Sequence, residues 1–251
     1  MARVHAAVYV FPGWHGCKLL CALAQNMYWF LVIRKDLGAE TGDLARVKGL
    51  RIGAAAGAVD GLRKVLQGGG IDPERDVEIG PVPGAVQGNM SFGITAAKAL
   101  EEGKLDGFWA NGMAAEVAVR RGVGSLLVDA HRVGASDNTG VHTFPALVAT
   151  DDMIGRDPAQ VTQAVRAIVA AQRALQADPD LAPRAAAPYF PDYERSLIAD
   201  LIRRDAPFYD PSISATKVAA VNRFAYELGL TTEPEVPYER IVAVASSTEW
   251  Q

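Results

Sequence analysis

Between Leu50 and Val128, short apolar runs alternate with segments of helical period, and no other feature of the chain narrows its fold so far. Leu50-Arg-Ile-Gly-Ala is a strand pattern ending in small residues, Ala54–Gly57. Val59, Leu62, Val65 and Leu66 then follow helical spacing until Gly68-Gly-Gly70 stops them. Asp76–Ile79 reads as the next strand, and Pro81–Met90 as a loop containing Gly and Pro. A helix over Thr95–Glu102 closes at Gly103, a strand follows at Leu105–Trp109, and a helix over Met113–Arg121 ends at Gly122. Ser125–Val128 is the last strand. The order β-α-β-α-β-α-β predicts an α/β fold with a parallel sheet, helices on both faces and right-handed crossovers.

The flanking regions differ. Before this block we expect a strand over Val4–Val10, a Pro-Gly turn, apolar structure through Trp29 and a strand around Phe30–Ile33. After it, Val141–Ala149 is strand-like and helices then dominate. Asp157 caps a helix with Pro158 in its first turn and a stripe of Val161, Ala164, Val165, Ile168 and Val169. Further helices are expected at 192–204 and at 214–228, the second opening on Ser214 and ending at Gly229. The chain shows no internal repeat and no low-complexity linker.

With 251 residues the chain makes one large domain or two small ones. A chain of that size buries roughly 70–75% of its unfolded surface and needs neither disulfide nor metal to hold a core. Apolar residues at 49% and charged residues at 22% exclude bulk disorder. A net charge of -4 leaves no basic surplus for phosphates, which argues against nucleic acid as a partner. Cys17 and Cys21 are the only cysteines. With His15 they spell His-x-Cys-x-x-x-Cys, yet a closed zinc site needs four ligands, so we expect two structural thiols, sharing one face if the segment is helical. The apolar run Cys17–Ile33 contains Lys18, Gln25 and Asn26 and is shorter than the roughly 20 residues a membrane helix needs. Read this way, the chain carries no export signal and no anchor.

Arg46-Val-Lys-Gly-Leu-Arg-Ile-Gly53 resembles the phrase that opens the second lobe in the nitrate/sulfonate/taurine/pyrimidine-precursor type of periplasmic substrate-binding proteins of ABC importers. Gly69-Gly-Ile-Asp-Pro-Glu-Arg-Asp-Val77 and Ala99-Leu-Glu-Glu-Gly-Lys-Leu-Asp-Gly107 are similar to later phrases of that family. So are Asp157-Pro-Ala-Gln-Val161, Gln176-Ala-Asp-Pro179, Asn222-Arg-Phe224 and Val236-Pro-Tyr-Glu239. The resemblance covers about residues 46–240. It implies a two-lobe periplasmic-binding-protein-like α/β fold, each lobe a mainly parallel sheet flanked by helices. Residues 1–48 and 141–251 would form lobe one and 49–140 lobe two, with hinge crossings near 46–50 and 138–144. It implies capture of a small organic or anionic solute in an interlobe cleft by hinge closure. The partners would be that solute and the ABC permease subunits, with no cofactor. The location would be periplasmic, or cytoplasmic for a chain without a signal peptide. Compared with the family, lobe one lacks its first strand-helix-strand unit. The sheet edge so exposed favours pairing with a second copy of the chain.

Ligands of open parallel sheets sit beyond the carboxyl ends of the strands. Those ends are Ala54–Ala58, Pro81–Gly88 and Trp109–Gly112, and none of them contains Lys or Arg. Ala55, Ala56 and Gly57 would offer backbone N–H groups at a helix start, or form only a tight turn. Trp109 and Asn111 would stack on a ring and hydrogen-bond it, or Trp109 would be core. Trp14, His15, Asn26, Tyr28 and Trp29 form an aromatic-polar group from lobe one, with Trp14 as its candidate ligand contact and core packing as the other reading. Thr143 and Phe144 begin the returning strand and are candidates for ligand contact.

Catalytic signatures are poor. The chain lacks a Gly-x-Ser-x-Gly elbow, a phosphate-binding Gly-x-x-x-x-Gly-Lys-Ser/Thr loop and His-Glu-x-x-His. His131 and His142 have no partner defined nearby in sequence, and Arg120-Arg121 reads as a solvated helix end. Three readings follow: a solute-binding protein, an enzyme of the same fold acting on a small aromatic or pyrimidine compound through His15, Cys17 or His142, and a remnant that serves as an interaction module.

Overall fold

The computed structural model describes residues 2–55, 57–85, 92–132 and 143–251. Its elements are β1 (Ala2–Arg3), α1 (Val4–Val10), β2 (Cys17–Ala22), β3 (Phe30–Arg34), β4 (Arg51–Ala54), α2 (Val59–Gly68), β5 (Glu78–Pro81), α3 (Phe92–Glu101), β6 (Gly107–Ala110), α4 (Gly112–Arg120) and β7 (Gly124–Asp129). Then come β8 (Pro145–Thr150), α5 (Asp151–Arg156), α6 (Pro158–Ala177), α7 (Leu181–Ala186), α8 (Asp192–Asp205), α9 (Ala215–Glu227) and α10 (Tyr238–Ile241). They fall into two units, Met1–Met27 with Gly134–Gln251, and Tyr28–Val133.

Unit two holds a five-stranded sheet in the order β5-β4-β6-β3-β7. β4 runs parallel to β5 and to β6, while β3 is antiparallel to both β6 and β7. Four of the five strands therefore run one way. The helices end where glycine was expected to end them. After α2, Gly70 adopts φ +74°, its N–H bonds to Gln67 and the Ile71 N–H returns to the Leu66 carbonyl, which satisfies two terminal acceptors. After α3, α4 and α9 the same pair of returning bonds forms around Gly103, Gly122 and Gly229.

One boundary departs from expectation. The first passage between units falls at Met27–Tyr28 rather than near 46–50, because β3 pairs with β6 and β7 in the interior of the second sheet. Phe30–Ile33 are buried on both faces, the pattern of an interior strand. Being upstream of the alternating block, β3 is not bound by the crossover that makes the others parallel. The second passage and His142 lie in residues 133–142, outside the described residues.

Unit one carries a three-stranded sheet, β1-β8-β2, whose pairings are antiparallel, not the mainly parallel sheet expected of each lobe, since the chain reaches β8 through unit two and no helical crossover within unit one leads into it. A parallel bridge from Leu19 to Val242 extends it. One core cluster joins α1 and α9 to one sheet face through Val8, Leu19, Ala146, Val218 and Val221. Another joins α6 to the opposite face through Leu20, Cys21, Val161, Val165 and Val169. The Asp157 and Ser214 carboxylate and hydroxyl accept the Gln160 and Lys217 N–H groups, as their cap positions predict.

The expected strand over Val4–Val10 is instead α1. An apolar run of this kind fits either period. The helix wins by burying Val4, His5, Ala7 and Val8 on one side. The Cys17–Ala22 run is a strand with a bulge: Leu19 faces Val148 and Cys21 faces Leu147, so Leu20 is the extra residue. The bulge resets the alternation and sends Cys17 to the α1/α9 face and Cys21 to the α6 face. The two thiols therefore do not share a face and cannot converge on one ion.

Candidate functional site

In unit two the register levels one edge of the sheet. Ala54 pairs with Trp109 and Pro81, and Phe30 pairs with Ala110 and Asp129. The carboxyl ends of β4, β5, β6 and β7 thus meet the start of β3, and the loops beyond them share that edge. Ala55, Gly57, Trp109 and Asn111 are brought together there. Ala56 lies outside the described residues.

The Ala55–Ala58 segment is a turn. The Ala58 N–H bonds to the Ala55 carbonyl at 2.9 Å, and Gly57 sits two residues into it at φ +72°, where a Cβ is disfavoured. The Ala55 N–H continues the ladder to the Trp109 carbonyl at 3.2 Å. Trp109 does not offer a ring to a ligand. It is fully buried, and its indole N–H donates to the Ala58 carbonyl at 3.0 Å. This is the core reading of the residue, with the added task of tying the turn to β6. Beyond the turn, α2 begins with no side-chain cap, and Asp60 is in its first turn.

Asn111 is the N-cap of α4, its Oδ1 accepting the Ala114 N–H at 3.2 Å. It is half-buried. The cap takes one end of the amide. The NH2 end remains a donor.

One part of this edge was not expected. Asp129 closes β7 and accepts the His131 backbone N–H at 3.0 Å. His131 is buried, with its ring edge-on to Phe30 at 5.7 Å between centroids. Arg132 pairs with Asp129 and is half exposed. Burial raises the Asp129 pKa, but the hydrogen bond from His131 and the Arg132 charge outweigh it and hold the carboxyl below its ordinary range. The loop after β7 thus brings a cation to an edge whose other three loops have none. The signal was Asp129-x-His-Arg132 directly after a strand. It was missed because only the carboxyl ends of the first three strands of the block were considered and His131 was given no partner nearby.

The remaining candidates belong to unit one. Phe144 is buried, and its carbonyl accepts the Val4 N–H at 3.1 Å. Thr143 is buried and, among the described residues, its hydroxyl has no hydrogen-bond partner, a state worth about 1–3 kcal/mol to any group that supplies one. Trp14 is core: 1% exposed, its N–H donates to Asn222 Oδ1 at 2.9 Å. Its φ of +64° follows Gly13 at the same angle, so the turn points the indole inward. The residues of the expected aromatic-polar group divide between the two units. His15 is exposed, Asn26 is buried in unit one, and Tyr28 and Trp29 stack on each other at 4.8 Å in unit two.

Burial pushes both thiols up to about 11, which holds them in the protonated form at neutral pH. Among the described residues, no group of three or more His, Cys, Asp or Glu side chains is placed to hold a metal, and no helix is long and apolar enough to cross a membrane.

A family model described as the NMT1-like family matches residues 32–188. Among curated proteins, none matches the sequence. The fold is similar to the ligand-binding component of an ABC-type import system from Staphylococcus aureus, determined with zinc bound: TM-score 0.68, 13% identity, 100% of this chain and 79% of that one. It is also similar to the alkanesulfonate-binding protein SsuA of Xanthomonas axonopodis pv. citri bound to MOPS, with TM-score 0.64, 15% identity, and 98% and 78% of the two chains. A third likeness is to a mutant of the desulfurization enzyme DSZB in complex with biphenyl-2-sulfinic acid, with TM-score 0.60, 17% identity, and 93% and 79% coverage. At such identities the likenesses establish the periplasmic-binding-protein type of α/β fold.

Proposed function

The chain belongs to the NMT1-like family, and from that premise we propose that it is the solute-binding component of an ABC importer, taking a small organic or anionic solute at the levelled edge of unit two. The observation that carries the reading is the makeup of that edge: a glycine turn braced by Trp109, the Asn111 amide and Arg132. Backbone and amide donors beside one paired cation suit an oxyanion such as a sulfonate, nitrate or carboxylate. Within unit one, Thr143 and Phe144 are proposed as a separate polar point, the Thr143 hydroxyl being a buried group with no partner among the described residues. Permease subunits as partners and a periplasmic location come with the reading.

A thermal-shift screen over sulfonates, nitrate, pyrimidines and aromatic acids tests it. A ligand at 100 times its dissociation constant adds about 2.7 kcal/mol. Gly57→Val then probes the site, since it forces a branched Cβ onto a φ of +72°. Affinity is expected to fall by tenfold or more, well beyond the loss of stability. Unchanged affinity would remove the turn from the site.

The likeness to the desulfurization enzyme supports a second reading, an enzyme of the same fold. The buried thiols speak against Cys17 as its reagent. Incubation with an aryl sulfinate is expected to give binding without loss of sulfur. Turnover abolished by Cys17→Ser would establish the enzyme.

A further inference from the structure

We propose that Asp129 sets the charge of the solute: it makes the levelled edge of unit two select a singly charged oxyanion over a doubly charged one of the same shape. The inference rests on the reading of that edge as the solute site. Asp129 ends β7 and stands opposite Phe30, at the start of β3. Its place is fixed from several sides. The Ala130 N–H donates to the Trp29 carbonyl at 3.0 Å, which ties the end of β7 to the approach to β3. The Arg132 N–H donates to the Asp129 carbonyl at 3.1 Å and closes a tight turn. On the side chain, Oδ1 accepts the His131 N–H at 3.0 Å and Oδ2 accepts from Arg132 Nη1. The carboxylate is thus held at both oxygens, on a short turn anchored to the sheet.

The two charges of the turn differ in exposure. The Arg132 side chain is 50% exposed and that of Asp129 12%, so the guanidinium reaches solvent with the carboxylate set behind it. The carboxylate keeps its charge at neutral pH, because the bond from His131 and the Arg132 cation outweigh the rise that burial causes. At the range of a bound solute its charge offsets that of Arg132. The other three loops of the edge hold no Lys or Arg, and Asp60 stands in the first turn of α2. Arg132 set against Asp129 and Asp60 leaves the edge with no net positive charge.

Such an edge holds one negative charge by donors at contact distance: N–H groups at the Gly57 turn, the Asn111 amide and Arg132. A second charge on the solute finds those donors already engaged. It also meets the repulsion of Asp129, which acts at longer range and in a partly desolvated setting. Without Asp129 the order reverses, since an uncompensated guanidinium beside backbone donors attracts a doubly charged phosphate more than a sulfonate. Selection of this kind comes from the repulsive group rather than from the donors.

The probes are butanesulfonate and butyl phosphate, which share a chain and a tetrahedral head and differ by one charge at about pH 8. His131 Nδ1 lies 3.7 Å from the carboxylate, and that pH is above the ordinary imidazole range. Titration calorimetry on the full chain is expected to show the sulfonate bound about tenfold or more tightly than the phosphate. Asp129→Asn keeps an acceptor for the His131 N–H and removes the charge. The preference should then vanish or invert, chiefly through tighter binding of the phosphate. Asp129→Ser, a second neutral acceptor, carries the same expectation. The wild-type comparison needs no variant, so misfolding of either leaves a test standing. Equal affinity of the wild type for both probes, or a preference that the neutral variants leave in place, would overturn the proposal while the edge remains the solute site. Binding of neither probe, or an affinity that Arg132→Gln leaves unchanged, would remove the solute site from this edge and the proposal with it.

Discussion

The two units reach similar α/β packing by different means. Unit two is one continuous stretch of chain, and its elements are announced locally, by a change of hydrophobic period and by a glycine at each helix end. Unit one is assembled from the two ends of the chain and is stitched by side chains that reach across more than a hundred residues. Trp14 bonds to Asn222, the Gln172 amide to the Ala22 and Leu23 carbonyls, the Gln25 amide to those of Asp210 and Ser212, and the Trp250 N–H to that of Leu20. Periodicity reports a face toward a core. It does not report which distant carbonyl a glutamine will find.

The comparison predicts separate vulnerabilities, and the largest is expected in unit two. An ideal Cβ on Gly107 comes 2.8 Å from the Val32 carbonyl oxygen and 2.8 Å from Ile52 Cδ1. The oxygen belongs to the ladder and cannot give way without opening it. Gly107→Val should cost about 3 kcal/mol or more, as overpacking at backbone does. Amides of β3, β4 and β6 should lose hydrogen-exchange protection while those between β2 and β8 keep theirs. Equal loss in both sheets would break the comparison and make the two units one cooperative body.

The corresponding test in unit one is Asn222→Leu. Its side chain accepts from Trp14 and donates to the Glu233 and Pro234 carbonyls, and Leu fills similar space without those bonds. Leaving a buried indole N–H unpaired should cost about 2–3 kcal/mol. The loss should appear at β2–β8 and α9 and spare β4–β6. A chain that melts as before would mean that the apolar cluster around Trp14, not the polar seam, holds unit one together.

The candidate site follows the same division. That the strand ends at Ala54, Pro81 and Ala110 share one edge was legible, because parallel strands with helical crossovers put their carboxyl ends together. What Trp109 does there was not. A large aromatic at a strand end reads equally as a stacking ring or as core, and only the Ala58 carbonyl within reach of its N–H decides for core. Asn111 was assigned to the ligand on its polarity, yet the turn into α4 also needs a cap, and one end of the amide supplies it. Arg132 escaped notice because the carboxyl end of the fourth strand, which the same parallel order puts on this edge, was not counted among the ends.

The smallest expected effect separates local pattern from tertiary placement within a single strand. Cys17 and Cys21 are four residues apart, and the bulge at Leu20 gives each a different face of the sheet. Burial raises both from an ordinary 9.0 to about 11, with the Asp151 charge adding to the rise at Cys17. A thiol is neutral below its pKa, so a raised folded value means stability fully present below pH 9 and lost as pH climbs from 9 toward 11. At pH 9 the loss is only about 0.4 kcal/mol per thiol, and at pH 7 it is nil. Melting should therefore be flat from about pH 6 to 8 and begin to fall near 9, less steeply in Cys17→Ala and in Cys21→Ala. Because the two thiols sit in separate clusters, the two substitutions should act additively on that slope. Each thiol should resist alkylation in the folded protein at about pH 8, and each should become reactive only with unfolding of its own side of the sheet. Coupled reactivity, or a slope that either substitution alone abolishes, would mean that the thiols share one environment and that the bulge does not divide them.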